Sequence, residues 1–174
     1  LPLPMLALML ERVLGAQAVV ETEGDVRFLK KNVPSAGGLH PLEAYVFIRK
    51  VADVSPGLYH YHPVAHELSL LPEQPENLDG FIKSMLAGQH WFSDAHVIVV
   101  IACRFERNFW KYRNHAKAYR AVVLDVGHVS QAFYTEATAQ GLGAFVTAAV
   151  NEEDFERLLC FDPLVEGVLA VCGF

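Results

Sequence analysis

Cysteine is scarce in this sequence, and it is not arranged in pairs. The 174 residues contain three cysteines, Cys103, Cys160 and Cys172, and no two of them form a Cys-x-x-Cys motif. The spacing therefore gives no sign of a disulfide framework. We interpret all three as free thiols, which is typical of a protein in the reducing cytoplasm.

A surplus of positive charge and a long uncharged run are missing as well. Fourteen basic side chains against twenty acidic ones give a net charge of -6, so general attraction to nucleic acid or to an anionic membrane is not expected. No stretch approaches the roughly twenty uncharged residues that a membrane-spanning helix needs. The apolar residues 1–10 lack the basic leader and the cleavage site of a signal peptide.

The sequence does contain enough apolar residues for one domain with a sizeable core. Hydrophobic residues make up 52% of the chain, which predicts a single domain over residues 1–174. Helical and strand-like patterns alternate, and this mixture predicts an α+β layer structure. Helices are predicted at residues 5–17, 79–88, 116–140 and 152–159, and strands at residues 43–48, 58–61, 67–70, 96–102, 144–150 and 165–172.

Residues 34–41, with the sequence PSAGGLHP, are predicted to form a loop because prolines and a glycine pair interrupt them. Small residues with free backbone N–H groups let a planar ring or a phosphate approach the main chain closely. Ser35 adds a hydroxyl donor, and glycine permits the positive φ that such a cradle uses. A plain turn between a helix and a strand explains the same composition, since Gly, Pro and Ser dominate turns.

Residues 104–120 concentrate positive charge in an otherwise acidic chain. They hold six of the fourteen basic residues and a single acid, Glu106. Lys111 lies between Trp110 and Tyr112 with arginines nearby, a setting in which a lysine can act as a general base near neutral pH. The alternative is a solvated charged segment whose aromatic residues pack on the core.

Three weaker patterns have structural explanations. Gly141-Leu142-Gly143 could expose main-chain N–H groups before a strand of small residues, but capping of the preceding helix explains Gly141. The histidines at positions 60, 62 and 66 lack the further ligands of a zinc shell, so no metal site is expected. Asp125 and His128 lie one helical turn apart, and we interpret them as a buried, mutually satisfied pair.

Taken in order, several motifs of this chain resemble the SagB-type dehydrogenases of the nitroreductase superfamily. The resemblance lies in residues 34–45 (PSAGGLHPLEAY), 56–61 (PGLYHY), 111–120 (KYRNHAKAYR), 124–128 (LDVGH) and 141–143 (GLG). The segment NHAKAYR and the terminal AVCGF look like the peptide maturation dehydrogenases within that group. Each motif alone is weak, and the specificity comes from their order and intervals.

The resemblance implies a nitroreductase-like fold, with a central, mostly antiparallel sheet flanked by helices, in a homodimer that holds FMN at the subunit interface. The loop that lies against the flavin corresponds to Ser35, Ala36, Gly37 and Gly38. The strand that passes the flavin ring edge corresponds to Val146, Thr147 and Ala148. The family's arginine motif for the phosphate is expected upstream of Leu1 and a further basic contact beyond Phe174, because both ends of this chain look trimmed.

The resemblance further implies that Lys111 and Tyr112 are the catalytic pair of an azoline oxidase. Lys111, with Tyr112 assisting, is expected to remove a ring proton from a thiazoline or oxazoline in a ribosomally made peptide, while a hydride passes to FMN. A cyclase complex would supply the ring. The alternatives are an NAD(P)H-dependent nitro or quinone reductase on the same fold and a non-catalytic scaffold subunit of a peptide-modifying complex.

Overall fold

The computed structural model describes residues 1–22 and 26–174, and it confirms the α+β class. In these ranges the chain forms five α-helices and eight strands. The helices are α1 (Leu3–Leu14), α2 (Leu78–Met85), α3 (Phe105–Tyr112), α4 (Tyr119–Ala139) and α5 (Glu152–Leu158). The strands are β1 (Ala16–Glu21), β2 (Arg27–Lys31), β3 (Leu42–Ile48), β4 (Gly57–His62), β5 (Glu67–Leu70), β6 (Val97–Arg104), β7 (Phe145–Thr147) and β8 (Glu166–Gly173).

The main sheet has six strands in the order β5-β4-β3-β6-β8-β7, and every described pairing in it is antiparallel. Strands β3 and β6 lie at its centre, and their register pairs Leu42 with Cys103 and Ile48 with Val97. Val97 to Cys103 are all buried, so the apolar run at residues 96–102 is confirmed as a central strand.

Helices cover both faces of the sheet because successive strand residues point to opposite sides. On one face, α1 and α4 pack on the sheet through residues such as Leu6 and Phe133. On the other face, α2 and α5 contribute Ile82 and Phe155. Among the described helices, none combines the length and the apolar character that crossing a membrane requires.

The N-terminal third differs from the prediction. Helix α1 ends at Leu14 and not at residue 17, because Gly15 leaves the helical conformation and the following residues form β1. Strands β1 and β2 pair with each other as a separate two-stranded sheet, which the sequence analysis did not predict. Their side chains are mostly exposed, so no clear apolar alternation marked them as strands.

Two further segments were predicted incompletely. The strand expected at residues 144–150 is limited to Phe145–Thr147, and the Ala149 N–H donates to the Thr147 hydroxyl at 3.1 Å just after it. The basic segment contains helix α3, which the sequence analysis left unassigned. Helix α4 ends before Gly141, whose φ of 70° confirms the predicted glycine stop.

All three cysteines, Cys103, Cys160 and Cys172, are free thiols in the part of the chain that the structure describes.

Candidate functional site

The loop at residues 34–41 contains a tight turn that only glycine adopts easily. Ala36–Gly38 form a 3₁₀ turn, and the Gly38 N–H donates to the Ser35 carbonyl at 3.0 Å. Gly37 and Gly38 have φ values of 65° and 69°, in the region that side chains with a Cβ disfavour. No described atom lies within 4 Å of the position that a Cβ on Gly38 would take. The main chain is therefore open to a ligand at Gly38.

A buried carboxylate on α4 holds this loop. The Ser35 hydroxyl donates to one oxygen of Asp125, and the Ala36 N–H donates to the other at 3.0 Å. Asp125 is 4% exposed, so these bonds satisfy a carboxylate that lies away from water. The Ser35 oxygen also accepts from the His40 N–H at 2.9 Å. Two groups expected to face the ligand are therefore engaged inside the loop.

The predicted pairing of Asp125 with His128 is wrong. Both Asp125 oxygens accept hydrogen bonds from the loop, and His128 Nδ1 lies 3.2 Å from the Pro34 carbonyl oxygen instead. Both side chains therefore point from α4 toward the same loop. The sequence signal for this role was an aspartate on the buried stripe of an otherwise apolar helix, but its partner 90 residues away could not be identified from helical spacing.

Lys111 and Tyr112 lie against the same loop. Lys111 Nζ is 3.4 Å from the Gly37 carbonyl oxygen, to which it donates. A Cβ on Gly37 would lie 2.9 Å from Lys111 Nζ and 3.0 Å from Tyr112 Oη. Glycine at position 37 is thus the residue that allows both side chains to approach. The structure brings together the predicted catalytic pair and the predicted cofactor loop, which are more than seventy residues apart.

The sheet explains why these two segments meet. Leu42 at the end of the loop pairs with Cys103 at the end of β6, and the Arg104 N–H donates to the Pro41 carbonyl at 3.0 Å. Helix α3 begins at the next residue. Antiparallel strands place the start of one beside the end of its neighbour. The loop before β3 and the helix after β6 therefore lie at the same end of these two central strands.

A charged cluster that no sequence pattern predicted connects α3 to the loop. Arg107 on α3 donates to the His40 carbonyl at 2.8 Å and to Glu43 at 2.7 Å, while His60 lies 3.0 Å from the other Glu43 oxygen. Burial would raise the pKa of Glu43, but the bond with His60 and the positive charges of Arg107 and Arg104 outweigh it and hold the pKa at about 2. Glu43 therefore stays ionised and anchors α3.

Burial lowers the pKa values of two basic side chains beside this cluster, His40 and Lys31. Burial and the nearby Lys31 lower the pKa of His40 to about 4, so His40 is neutral near neutral pH. Burial lowers the pKa of Lys31 to about 8, although Glu43 opposes the shift.

The described residues hold no group of three or more His, Cys, Asp or Glu side chains that could bind a metal ion.

The loop at residues 34–41 is distant from the third predicted site segment, Val146, Thr147 and Ala148 on and after β7. Strands β8 and β6 separate β7 from β3, which puts about 14 Å between β7 and β3 at the usual strand spacing. Thr147 is buried, and its hydroxyl donates to Gln89 at 3.0 Å, while Ala148 is exposed. One copy of the chain therefore brings Lys111 and Tyr112 to the loop but does not bring these three residues there.

The sequence as a whole matches a known family. The model of the nitroreductase family matches residues 2–174. This chain belongs to the nitroreductase family. The match confirms the resemblance seen in the motifs, and family membership makes the chain a relative of oxidoreductases.

Two curated proteins are similar to this chain in sequence. The trifolitoxin-processing protein TfxB of Rhizobium leguminosarum bv. trifolii is 28% identical over 172 residues, which are 98% of this chain and 46% of TfxB. The nitroreductase homologue MJ1384 of Methanocaldococcus jannaschii is 32% identical over 129 residues, which are 74% of this chain and 63% of that protein. The chain thus spans only about half to two thirds of the length of these two relatives.

Solved structures agree on the fold. A nitroreductase-like protein from Anabaena variabilis has a TM-score of 0.86 and 28% identity, and the alignment covers 98% of this chain and 34% of that one. The E. coli microcin synthetase McbBCD complex, solved with a truncated pro-MccB17 bound, has a TM-score of 0.80 at 22% identity, with 100% of this chain and 63% of that one covered. At that identity the second likeness supports the fold alone.

The loop and the two side chains beside it suit a flat cofactor ring, and the nitroreductase family suggests a flavin. The open main chain at Gly38 gives a flat ring a surface to lie on, and the Gly37 turn brings Lys111 and Tyr112 beside it. A ring contacting this loop would therefore also lie close to two groups able to exchange protons.

Proposed function

We propose that this chain is the flavin-binding part of an FMN-dependent dehydrogenase that oxidises thiazoline or oxazoline rings in a ribosomally made peptide. The observation that carries the proposal is the convergence of Lys111 and Tyr112 on Gly37. A reductase that takes a hydride from a nicotinamide needs no such pair. The similarity of nearly the whole chain to a trifolitoxin-processing protein supports a peptide substrate.

Lys111 is suited to remove a proton from the ring. None of the described ion pairs involves Lys111, so no carboxylate among the described residues occupies its amine. The bond to the Gly37 carbonyl orients Nζ without adding negative charge. FMN, when bound, supplies the two-electron acceptor for the hydride that leaves the adjacent carbon. Tyr112 Oη lies close enough to Gly37 to share in positioning the substrate.

A second copy of the chain completes the site in this proposal. Helix α4 presents Tyr119, Val123 and Leu124 to solvent at 59%, 64% and 61% exposure, and Asp125 of the same helix holds the loop. Large apolar side chains clustered on one exposed surface are typical of an interface. The proposal is that two copies pair through α4 and that Val146, Thr147 and Ala148 of one copy approach the loop of the other, with FMN between them.

The decisive experiment compares Lys111→Ala with the unchanged protein. We expect the variant to retain FMN, seen in its visible absorption spectrum, and to lose at least about a hundredfold in oxidation of an azoline-containing peptide, since general-base catalysis contributes roughly that factor. Tyr112→Phe should lose less. Full peptide oxidation by Lys111→Ala would contradict the proposal.

The similarity to a nitroreductase homologue favours one alternative, an NAD(P)H-dependent nitro or quinone reductase. The two functions differ in their dependence on Lys111. Steady consumption of NAD(P)H with a nitroaromatic substrate, equal in the unchanged protein and in Lys111→Ala, would support the reductase. A purified protein that takes up no FMN would instead support a scaffold role.

A further inference from the structure

A second feature adjoins the Gly37–Gly38 turn at Gly38. Strand β2, the β4–β5 turn and helix α3 line a cavity of about 560 Å³, which is within the usual size range of ligand sites. Its walls are mostly apolar and include Phe28, Leu39, Val64 and Trp110. Gly38 lines the cavity, so it adjoins the proposed catalytic pair.

The polar groups of this cavity favour a negatively charged ligand. Glu43 is its single acidic lining residue, and that carboxylate is already satisfied by Arg107 at 2.7 Å and His60 at 3.0 Å. Arg104 and Arg107 line the cavity with side chains that are 47% and 37% exposed. A guanidinium carries five N–H donors, and the described bonds of Arg107 use one from each terminal nitrogen. Arg104 bonds Glu166 through Nε at 3.2 Å and lies 3.6 Å from Glu43 through the same nitrogen. Terminal N–H donors of both side chains therefore remain for a carboxylate.

The apolar walls indicate that the ligand is larger than a simple anion. Trp110 is 55% exposed although it lines a concave surface, and Phe28 lies on the hairpin wall. A small inorganic anion at the arginines would leave these rings in contact with water, whereas an apolar side chain would bury them. A carboxylate attached to an apolar group meets both requirements.

We infer that this cavity binds an acidic segment of the substrate peptide. The carboxylate lies at Arg104 and Arg107, and a neighbouring apolar side chain packs on Trp110 and Phe28. This inference rests on the proposed function, because the cavity and the Lys111 site share the Gly37–Gly38 turn and one extended peptide can reach both. Binding here would position the ring that Lys111 deprotonates.

The test measures binding directly, with short blocked peptides as probes. One probe carries an aspartate beside a phenylalanine, and its isosteric twin carries asparagine beside phenylalanine. We expect calorimetry on the full chain to show about tenfold tighter binding of the aspartate probe, since hydrogen bonds to charged groups are the stronger ones. Equal binding of the two probes, or binding of acetate as tight as that of the aspartate probe, would overturn the inference.

Variants at Val64 locate the site without touching the ion-pair cluster. Val64 lines the cavity and is 50% exposed, so a charge there should not prevent folding. At low salt we expect Val64→Glu to weaken and Val64→Lys to strengthen binding of the aspartate probe, each about threefold. Leu3→Glu adds the same negative charge outside the cavity and should leave binding unchanged. Equal effects of Val64→Glu and Leu3→Glu would contradict the location.

The outcomes separate this inference from the proposed function. Lys111→Ala should bind the aspartate probe as tightly as the unchanged protein, because Lys111 does not line the cavity. Azoline oxidation without preference for the aspartate probe would refute the cavity assignment alone. Preference for that probe in a protein that oxidises no azoline peptide would refute the proposed reaction alone.

Discussion

The Ser35 hydroxyl donates a hydrogen bond to the buried carboxylate of Asp125. This bond joins the glycine loop to helix α4, whose exposed apolar residues Val123 and Leu124 flank the aspartate on the other side. One helix therefore faces the proposed subunit interface and fixes the loop that is proposed to contact the flavin. In the proposed dimer, this helix and its residue Asp125 would link assembly with cofactor binding.

The first prediction concerns that residue. Asp125→Asn keeps the size of the side chain but replaces one acceptor with a donor, so either the Ser35 hydroxyl or the Ala36 N–H loses its partner. We expect the free energy of unfolding to fall by roughly 1–3 kcal/mol, the cost of an unsatisfied buried polar group. Urea unfolding measures this loss, and titration with FMN should show weaker binding because the loop is no longer held.

A double-mutant cycle with Ser35→Ala identifies the cause. If Asp125 acts by holding the loop, the two substitutions together should cost less than the sum of their separate effects. Asp94→Asn, at an exposed aspartate, is the matched control and should change the unfolding free energy by less than about 0.5 kcal/mol. Additive effects on FMN affinity would show that Asp125 and Ser35 do not act together.

The second prediction compares two neighbouring glycines. Gly37 and Gly38 have nearly equal positive φ values, so Gly37→Ala and Gly38→Ala should each lose about 1 kcal/mol of stability from backbone strain. Only at Gly37 would the new Cβ meet Lys111 and Tyr112, at 2.9 and 3.0 Å. We therefore expect Gly37→Ala to lose about tenfold more peptide oxidation than Gly38→Ala, because small displacements of reacting groups are costly.

Stability and activity are measured on the same preparations of these two variants, by urea unfolding and by single-turnover oxidation. Gly38→Ala is the control for backbone strain, and both variants are assayed with saturating FMN because a Cβ on Gly38 would also contact the proposed flavin surface. If both variants lose activity equally, the contact of Gly37 with the lysine and tyrosine has no part in the reaction.

Patterns within the sequence predicted the main elements well because each depends on local periodicity. The central strand was recognised from its unbroken apolar run, and the end of α4 from Gly141. The β1–β2 hairpin was missed because its side chains are mostly exposed on both faces, so burial imposes no alternation on them. The extent of α1 was overestimated because the helical apolar spacing was continued past Gly15, where the backbone becomes extended.

The sequence predicted separate segments of the candidate site but not the contacts between them. The motif order identified the loop and the Lys111–Tyr112 pair, but their contact depends on the register of Leu42 with Cys103, which local patterns do not determine. Asp125 was recognised as buried, yet its partner was sought one turn away on its own helix. The buried Glu43 cluster draws on four separate elements, and a single sequence contains no signal that joins them.

The third prediction concerns the exposed surface of α4. Leu124→Glu places a charge in the proposed interface between two copies, where burying it unpaired is unfavourable. We expect sedimentation to show a shift from dimer toward monomer, together with loss of bound FMN. Leu70→Glu, at another exposed leucine with 57% exposure, is the control and should keep the dimer. A Leu124→Glu variant that remains dimeric and yellow would place the interface elsewhere.

The fourth prediction uses the acidity of Glu43. Its pKa is held at about 2 in the folded chain against an ordinary value of 4.5, so the folded state binds fewer protons than the unfolded state between these values. The stabilisation is fully present above about pH 4.5 and is lost as the pH falls toward 2, and by linkage it amounts to roughly 3 kcal/mol. Glu43→Gln lacks this contribution at every pH.

We therefore expect the difference in unfolding free energy between the unchanged protein and Glu43→Gln to be largest at neutral pH and to shrink below about pH 4.5. Urea unfolding at a series of pH values measures it. Glu153→Gln removes a carboxylate whose side chain is 81% exposed and whose pair with Arg157 is equally open to water, so its effect should stay below about 1 kcal/mol at all pH values. A difference for Glu43→Gln that does not change with pH would mean that Glu43 acts through packing and not through its charge.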